Sequence, residues 1–208
     1  MTRPGTPAAY FDRMYADADD PWHLAERWYE RRKYDLTLAA LPRPRYRRAF
    51  EPGCSVGELT LGLAPRCDEL LAADRVAAAV RTTRRRTADL PQVSVRQLTV
   101  PDEWPAGVFD LIVLSELLYY LDDDAVGRVL RQSVESLEPE GTLVTVHWNH
   151  DVPEHLSTGD AIADRLARLP GTALLADHRE RDFVLQVHGR TTAEGRPPAS
   201  PAAAEGLV

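Results

Sequence analysis

The chain has 208 residues, enough for one domain with a sizeable core. A formal net charge of -7 and a pI near 5.4 argue against nucleic acid or an anionic membrane as the main partner. Cys54 and Cys67 form neither a disulfide framework nor a zinc site, no run is apolar enough to span a bilayer, and the opening MTRPGTPAAYFDRMY lacks the apolar core of a signal peptide, so a reduced, cytoplasmic protein is expected.

Met1–Ala8 is expected to be loose, and Tyr10–Asp17 to form a short helix. Asp19-Asp20-Pro21-Trp22 makes a turn, and the spacing of Leu24, Trp28, Leu36 and Leu38 predicts a helix over His23–Leu41, stopped by Pro42 and Pro44. Lys33 is the only lysine among 25 Lys and Arg residues, and no function is drawn from that bias. The aromatic residues Tyr10, Phe11, Trp22, Trp28, Tyr29 and Tyr34 are either ordinary core or a lid over a ligand.

The next stretch, Ala49–Leu59 (AFEPGCSVGEL), organises the chain. An apolar strand reaches an acid, Glu51, breaks over Gly53, Cys54, Ser55 and Gly57, and becomes a helix. Glycine has no Cβ, so such a loop lets a ligand touch backbone at a helix start. Glu58–Ala64 continues as a short helix, Glu69–Ala73 reads as a buried strand ending at Asp74, and Arg75–Asp89 as a helix whose RTTRRR run is a solvated face. Val93–Leu98 is a third strand, and Phe109–Leu114 (FDLIVL) has the continuous apolar character of a central parallel strand. Asp122–Leu137 is a helix with an acidic first turn. Pro139–Gly141 turns into a fifth strand, Thr142–Val146. Thr158–Leu169 is helical with Thr158 as N-cap, and Thr172–Asp177 with Asp182–Val187 forms a closing pair of strands. The Pro/Ala/Gly/Ser-rich residues 189–208 have the composition of a disordered tail.

Strands alternating with helices predict an α/β fold with a largely parallel sheet, and ligands in such sheets bind beyond the C-terminal strand ends. The residues placed there are Glu51–Gly57, Asp74-Arg75, Thr99-Val100, Ser115–Tyr120 and His147–His150. Asp74 lies 23 residues after Glu51, where a carboxylate accepts both hydroxyls of a ribose or caps the following helix; the two roles are compatible. The loop lacks the middle glycine of G-x-G-x-x-G, which disfavours a nicotinamide dinucleotide. The spacing His147-x-x-His150 lacks a third ligand, so no metal is expected.

Glu51-Pro52-Gly53-Cys54-Ser55-Val56-Gly57 resembles the first motif of Rossmann-like, S-adenosylmethionine-dependent methyltransferases, with Ser55 in place of its second glycine. Asp74 matches the ribose acid, Phe109–Leu114 the fourth strand, and Leu137–Gly141 the approach to the fifth. Within that class the chain is most similar to the nodulation-type N-methyltransferases, which modify amino sugars of chitooligosaccharides. They share the run Asp20-Pro21-Trp22, then Trp28-Tyr29-Glu30 with Arg32-Lys33-Tyr34, and Asp110–Leu121.

The resemblance, over about residues 10–188, implies a seven-stranded, mostly parallel sheet with helices on both faces. A helical cap over 1–44 and a methyltransferase domain over 45–188 follow from it. It implies S-adenosylmethionine as cofactor, held by Trp22, Arg32, Glu51, Gly53, Cys54, Ser55, Gly57, Asp74, Arg75, Thr99, Val100 and Ser115. Thr99 stands where the family tends to place an acid facing the adenine amine. The implied acceptor is a small molecule, an amino sugar or oligosaccharide. O-methylation of a natural product and a catalytically silent cofactor-binding protein are the alternatives. For an amine acceptor, His147, Glu116 and Tyr119 are the candidate proton acceptors, His147 first, because it should emerge at a strand end with a pKa suited to neutral pH.

Overall fold

The computed structural model describes residues 4–208. In chain order its elements are α1 (Ala8–Asp17), α2 (Trp28–Ala39), β1 (Tyr46–Pro52), α3 (Glu58–Leu63), β2 (Cys67–Asp74), α4 (Ala77–Arg86), β3 (Val93–Gln97), β4 (Phe109–Ser115), α5 (Asp123–Ser136), β5 (Leu137–Trp148), α6 (Gly159–Leu166), β6 (Thr172–Arg179), β7 (Phe183–Arg190) and α7 (Pro201–Ala204). The sheet has seven strands in the order β3-β2-β1-β4-β5-β7-β6. β1 to β5 run parallel, and β7 is antiparallel to both β5 and β6. The order reverses between β1 and β4, which opens a crevice at their C-terminal ends.

β4 shows why the sheet is covered on both faces. Leu111 and Val113 join one apolar cluster with Leu59 and Leu63 of α3, and Tyr34 and Leu36 of α2 pack against it. Ile112 and Leu114 join the opposite cluster with Val126, Val129 and Leu130 of α5 and Ile162 of α6. The period of two along a strand makes this division, and both faces must be apolar once helices cover each. Asp110 is the exception. Its buried carboxylate accepts the backbone N–H groups of Arg47 and Arg48 at 2.9 Å each, joining the start of β1 to β4.

Some boundaries differ from the sequence expectation. Residues 1–3 of the stretch expected to be loose lie outside the described residues, but Thr6 is pinned: its N–H donates to Tyr120 O at 2.8 Å and its hydroxyl to Glu154 O at 2.5 Å. The second helix begins at Trp28 and not at His23. The Asp20 carboxylate takes the N–H groups of Leu24 and Ala25, at 3.0 and 2.9 Å, and His23 adopts φ 57°, so this segment closes a turn first. The turn at Pro139–Gly141 lies inside a longer β5: Phe109 pairs with Leu137 but Leu111 with Thr142, and Glu140 adopts φ 63°. Residues 189–208, expected as a disordered tail, begin inside β7, where Gly189 pairs with Ala173 and Arg190 with Thr172. Beyond Arg190 the chain holds α7 and no buried residue.

Gly57 sits at the N-terminus of α3 with φ 81°, and a Cβ there would lie 2.8 Å from Thr83 Cγ2 on α4. Gly57→Ala is therefore expected to destabilise the fold by about 1–3 kcal/mol, through left-handed strain and the clash. A thermal melt checks this, since each kcal/mol lowers Tm by roughly 2–4 °C at this chain length. An unchanged Tm would mean that α3 and α4 can part without cost.

Candidate functional site

A cavity of about 420 Å³ opens at the crevice, lined from the ends of β1, β2 and β4, the loop after β3, and α1 and α2. The glycine loop forms its floor. Gly53 and Cys54 donate their N–H groups to Ala73 O at 2.7 and 2.9 Å, which folds the loop back over the end of β2. Gly53 has φ 79°, and Ser55 has φ 51°, a conformation a serine rarely holds unaided. Two contacts hold it: the Ser55 N–H donates to Asp74 Oδ2 at 3.0 Å, and its hydroxyl lies 2.5 Å from the Tyr15 hydroxyl of α1. These stand in for the freedom of the absent glycine.

Asp74 also accepts the Val76 N–H at 2.9 Å, so it caps the turn into α4 while lining the cavity. Burial pushes its carboxyl upward, and the N–H groups of Val76 and Ser55 oppose this. A carboxylate offers about four acceptor sites, so each oxygen keeps a lone pair for a ligand. Glu51 lines the same cavity at 3% exposure; burial pushes its carboxyl up to about 8, against the Thr60 hydroxyl that donates to it at 2.6 Å.

The other end of the cavity is ionic. Lys33 of α2 is 2% exposed, with Nζ 2.9 Å from Glu30 and 2.8 Å from Glu116. Burial alone would lower the lysine, but the two carboxylates more than offset it and hold it protonated. Glu116 follows β4 with φ 52°, its N–H bonded to Val146 O at 2.8 Å. Its carboxylate takes Lys33 on one oxygen; the Tyr119 hydroxyl and, at 3.3 Å, the Trp148 N–H reach the other. Burial raises this carboxyl, and Lys33 outweighs the effect, leaving it below the usual carboxylate range. His155 stacks on Tyr119 with ring centres 3.8 Å apart and lines the cavity.

Residues 10–161 match the family described as nodulation protein S (NodS). The chain belongs to the nodulation protein S family. Its curated relatives include nodulation protein S of Rhizobium tropici, 38% identical over 133 residues, and of Sinorhizobium fredii, 35% identical over 139. Each match covers 61% of this chain, and it spans 54% and 60% of those longer proteins. Among solved structures, the N-methyltransferase NodS of Bradyrhizobium japonicum in complex with S-adenosyl-L-homocysteine is 25% identical. It superposes with a TM-score of 0.77, over 88% of this chain and 98% of that one. A Pseudomonas syringae protein assigned as a methyltransferase is 46% identical, with a TM-score of 0.71 over 79% of this chain and all of its own.

The cavity brings together most of the cofactor residues that the family resemblance implied and two of the three candidate proton acceptors. Trp22, Glu51, Gly53, Cys54, Ser55, Asp74, Arg75, Thr99, Val100, Ser115, Glu116 and Tyr119 all line it. Three do not. Arg32 points away and forms a two-pronged pair with Glu180 beyond β6, at 2.9 and 2.6 Å. Gly57 serves the packing of α3 on α4. His147 is 1% exposed, and its Nε2 accepts the Leu118 N–H at 3.1 Å. Burial drops it to about 4, against the attraction of Glu116, so the first candidate base is a neutral peg that shapes the turn after β4. Nor do His147 and His150 converge, since His150 pairs with Asp182 at 2.7 Å. The sequence reading missed Lys33, Glu30, Tyr15 and His155. The visible signals were the isolation of Lys33 in an arginine-rich chain and the place of Glu30 and Lys33 in the runs shared with the nodulation-type family, but the partner Glu116 is 83 residues away.

A buried neutral histidine makes stability pH-dependent with a definite sign. Between about 6.5 and 4 the unfolded chain takes up a proton at His147 and the native chain does not, so this contribution is lost as pH falls through that window. His147→Gln should flatten the decline by up to about 3 kcal/mol, read from denaturant melts at pH 7, 5.5 and 4. Parallel declines for the two proteins would contradict the assignment.

Proposed function

We propose that this chain is an S-adenosylmethionine-dependent N-methyltransferase whose acceptor is the amine of a small molecule, an amino sugar or related saccharide. The observation that carries the cofactor is Asp74: a buried carboxylate at the end of β2, fixed by the Ser55 and Val76 N–H groups, facing a cavity that a glycine loop floors. Those residues fit an adenosyl group. Asp74 would hold the ribose hydroxyls, Thr99 and Val100 the adenine, and Gly53 to Ser55 the amino-acid end. The Thr99 N–H is tied to Glu103 at 2.7 Å, which leaves the threonine hydroxyl and the Val100 backbone for that role. The cofactor supplies a methyl group on a positively charged sulfur. The N-methyltransferase name and bound homocysteine nucleoside of the Bradyrhizobium relative support the same reading. The amino sugar rests on the family resemblance.

What the protein contributes is placement and dryness. Phe11 and Tyr15 of α1, with Trp22, cover the nucleoside end, and Phe11 meets Tyr120 edge to face at 4.9 Å. In-line methyl transfer gains most from holding the nucleophile against the methyl and from excluding water. With His147 neutral and engaged, and Glu116 held ionised, the amine is expected to react in its neutral form.

Calorimetry with S-adenosylhomocysteine tests the cofactor site. Asp74→Ala should weaken binding about 10- to 150-fold, the worth of one charge-assisted hydrogen bond. Arg32→Ala, outside the cavity, should leave it unchanged. NAD should not bind; NAD binding, or an unaffected Asp74→Ala, would sink the reading. Incubation with isotopically labelled S-adenosylmethionine and a panel of glucosamine, chitooligosaccharide amines and hydroxylated metabolites tests the acceptor. Label on nitrogen is expected, and label on oxygen alone would overturn the amine assignment.

A further inference from the structure

Lys33, Glu30 and Glu116 form a buried cluster of one cation and two anions, so the acceptor end of the cavity carries a net negative charge. A structural ion pair needs one carboxylate, and this lysine has two. Burying a second carboxylate beside an already paired lysine is costly unless something else uses the extra charge. The strain points the same way: Glu116 holds a left-handed backbone, uncommon for a long side chain, at the end of the central strand. Three donors occupy its carboxylate, namely Lys33 Nζ, the Tyr119 hydroxyl and the Trp148 N–H. One of about four acceptor sites stays open, on a side chain 22% exposed at the cavity wall.

We propose that Lys33 is a positioning residue which, with Glu30, fixes Glu116 as an ionised hydrogen-bond acceptor for an amine nitrogen that gains positive charge during methyl transfer. This rests on the N-methyltransferase reading and adds how the acceptor is chosen. The amine lone pair forms the N–CH3 bond as the S–CH3 bond breaks, and the breaking bond's electron pair stays on sulfur. The nitrogen keeps its protons and leaves as a secondary ammonium, releasing one to water outside the site. Glu116 stabilises that ammonium as it forms and accepts no proton. A hydroxyl acceptor must lose its proton to become a nucleophile, and an ionised carboxylate pinned by Lys33 is a weak base for that purpose. The cluster therefore selects amines over alcohols.

The test uses the full chain and the variants Lys33→Met, Lys33→Arg and Glu116→Gln. The first measurement needs no cofactor. Lys33 is the only lysine, so acetylation by a water-soluble active ester at pH 8 can be read at one site by mass spectrometry. Lys33 should react at least about tenfold more slowly in the native than in the urea-unfolded chain, and Glu116→Gln should relieve part of that protection. Equal rates would overturn the proposal.

The second measurement is steady-state transfer to glucosamine. Lys33→Met should lower kcat about 10- to 100-fold, the range of one charge-assisted hydrogen bond, with KM for the amine within threefold and affinity for S-adenosylhomocysteine unchanged. Lys33→Arg should recover most of the loss, because it keeps the charge. Transfer at the wild-type kcat in Lys33→Met would overturn this proposal and leave the N-methyltransferase reading standing. A parallel loss of cofactor affinity would reduce the cluster to a structural role and overturn it also. Transfer to hydroxyl acceptors alone, or to no acceptor, in the wild type would overturn both.

Discussion

The position of the N-terminal helices depends on one buried ion cluster. A lysine taken out of water is tolerated only where carboxylates meet it, and Lys33 meets Glu30 one turn away and Glu116 across the cavity. That requirement sets where α2 lies on the sheet. Arg32, the neighbouring residue, reaches the opposite way to Glu180, so α2 is pinned on both flanks. The apolar packing of Tyr34, Leu36 and Leu38 under the helix supplies attraction without direction. The ions supply the register.

The second organising contact joins the loop to the strand beside it. Asp74 takes the N–H of Ser55 from β1's loop and that of Val76 from its own chain, so β2's end, the glycine loop and α4 share one carboxylate. Tyr15 extends the link to α1 through the Ser55 hydroxyl. Four segments of the chain thus meet at two side chains, and the floor of the cavity is held by bonds within the chain itself. Such preorganisation lowers the ordering cost that binding would otherwise carry.

Much of this was legible in the sequence. FDLIVL reads as a strand covered on both faces, and the structure buries it between two apolar clusters; the acid–glycine–serine run with Asp74 23 residues after Glu51 reads as a strand-to-helix loop suited to a ligand, and the structure places both beside one cavity. Three features were hidden for physical reasons. The apolar spacing from Leu24 onward reads as helix because periodicity does not register an Asp20 side chain that captures two backbone N–H groups. His147 stands at the end of the apparent strand, but β5 continues to Trp148, and the imidazole is buried against the Tyr119 ring with its Nε2 on the Leu118 N–H. The ionic pairing of Lys33 with Glu116 bridges two distant segments, and local pattern carries no information about such partners.

Glu51 gives the site a thermodynamic bias of its own. Its carboxyl, lifted by burial to about 8, holds a proton at neutral pH and borders the same cavity as Asp74. A cation placed nearby favours the anion and drives that proton out, whereas an uncharged ligand leaves it in place. A cationic and an uncharged ligand of the same shape would therefore bind there with different proton stoichiometry. Their binding heats should then diverge with the ionisation enthalpy of the buffer, and replacing the uncharged ligand by the cation is coupled to proton release to solvent.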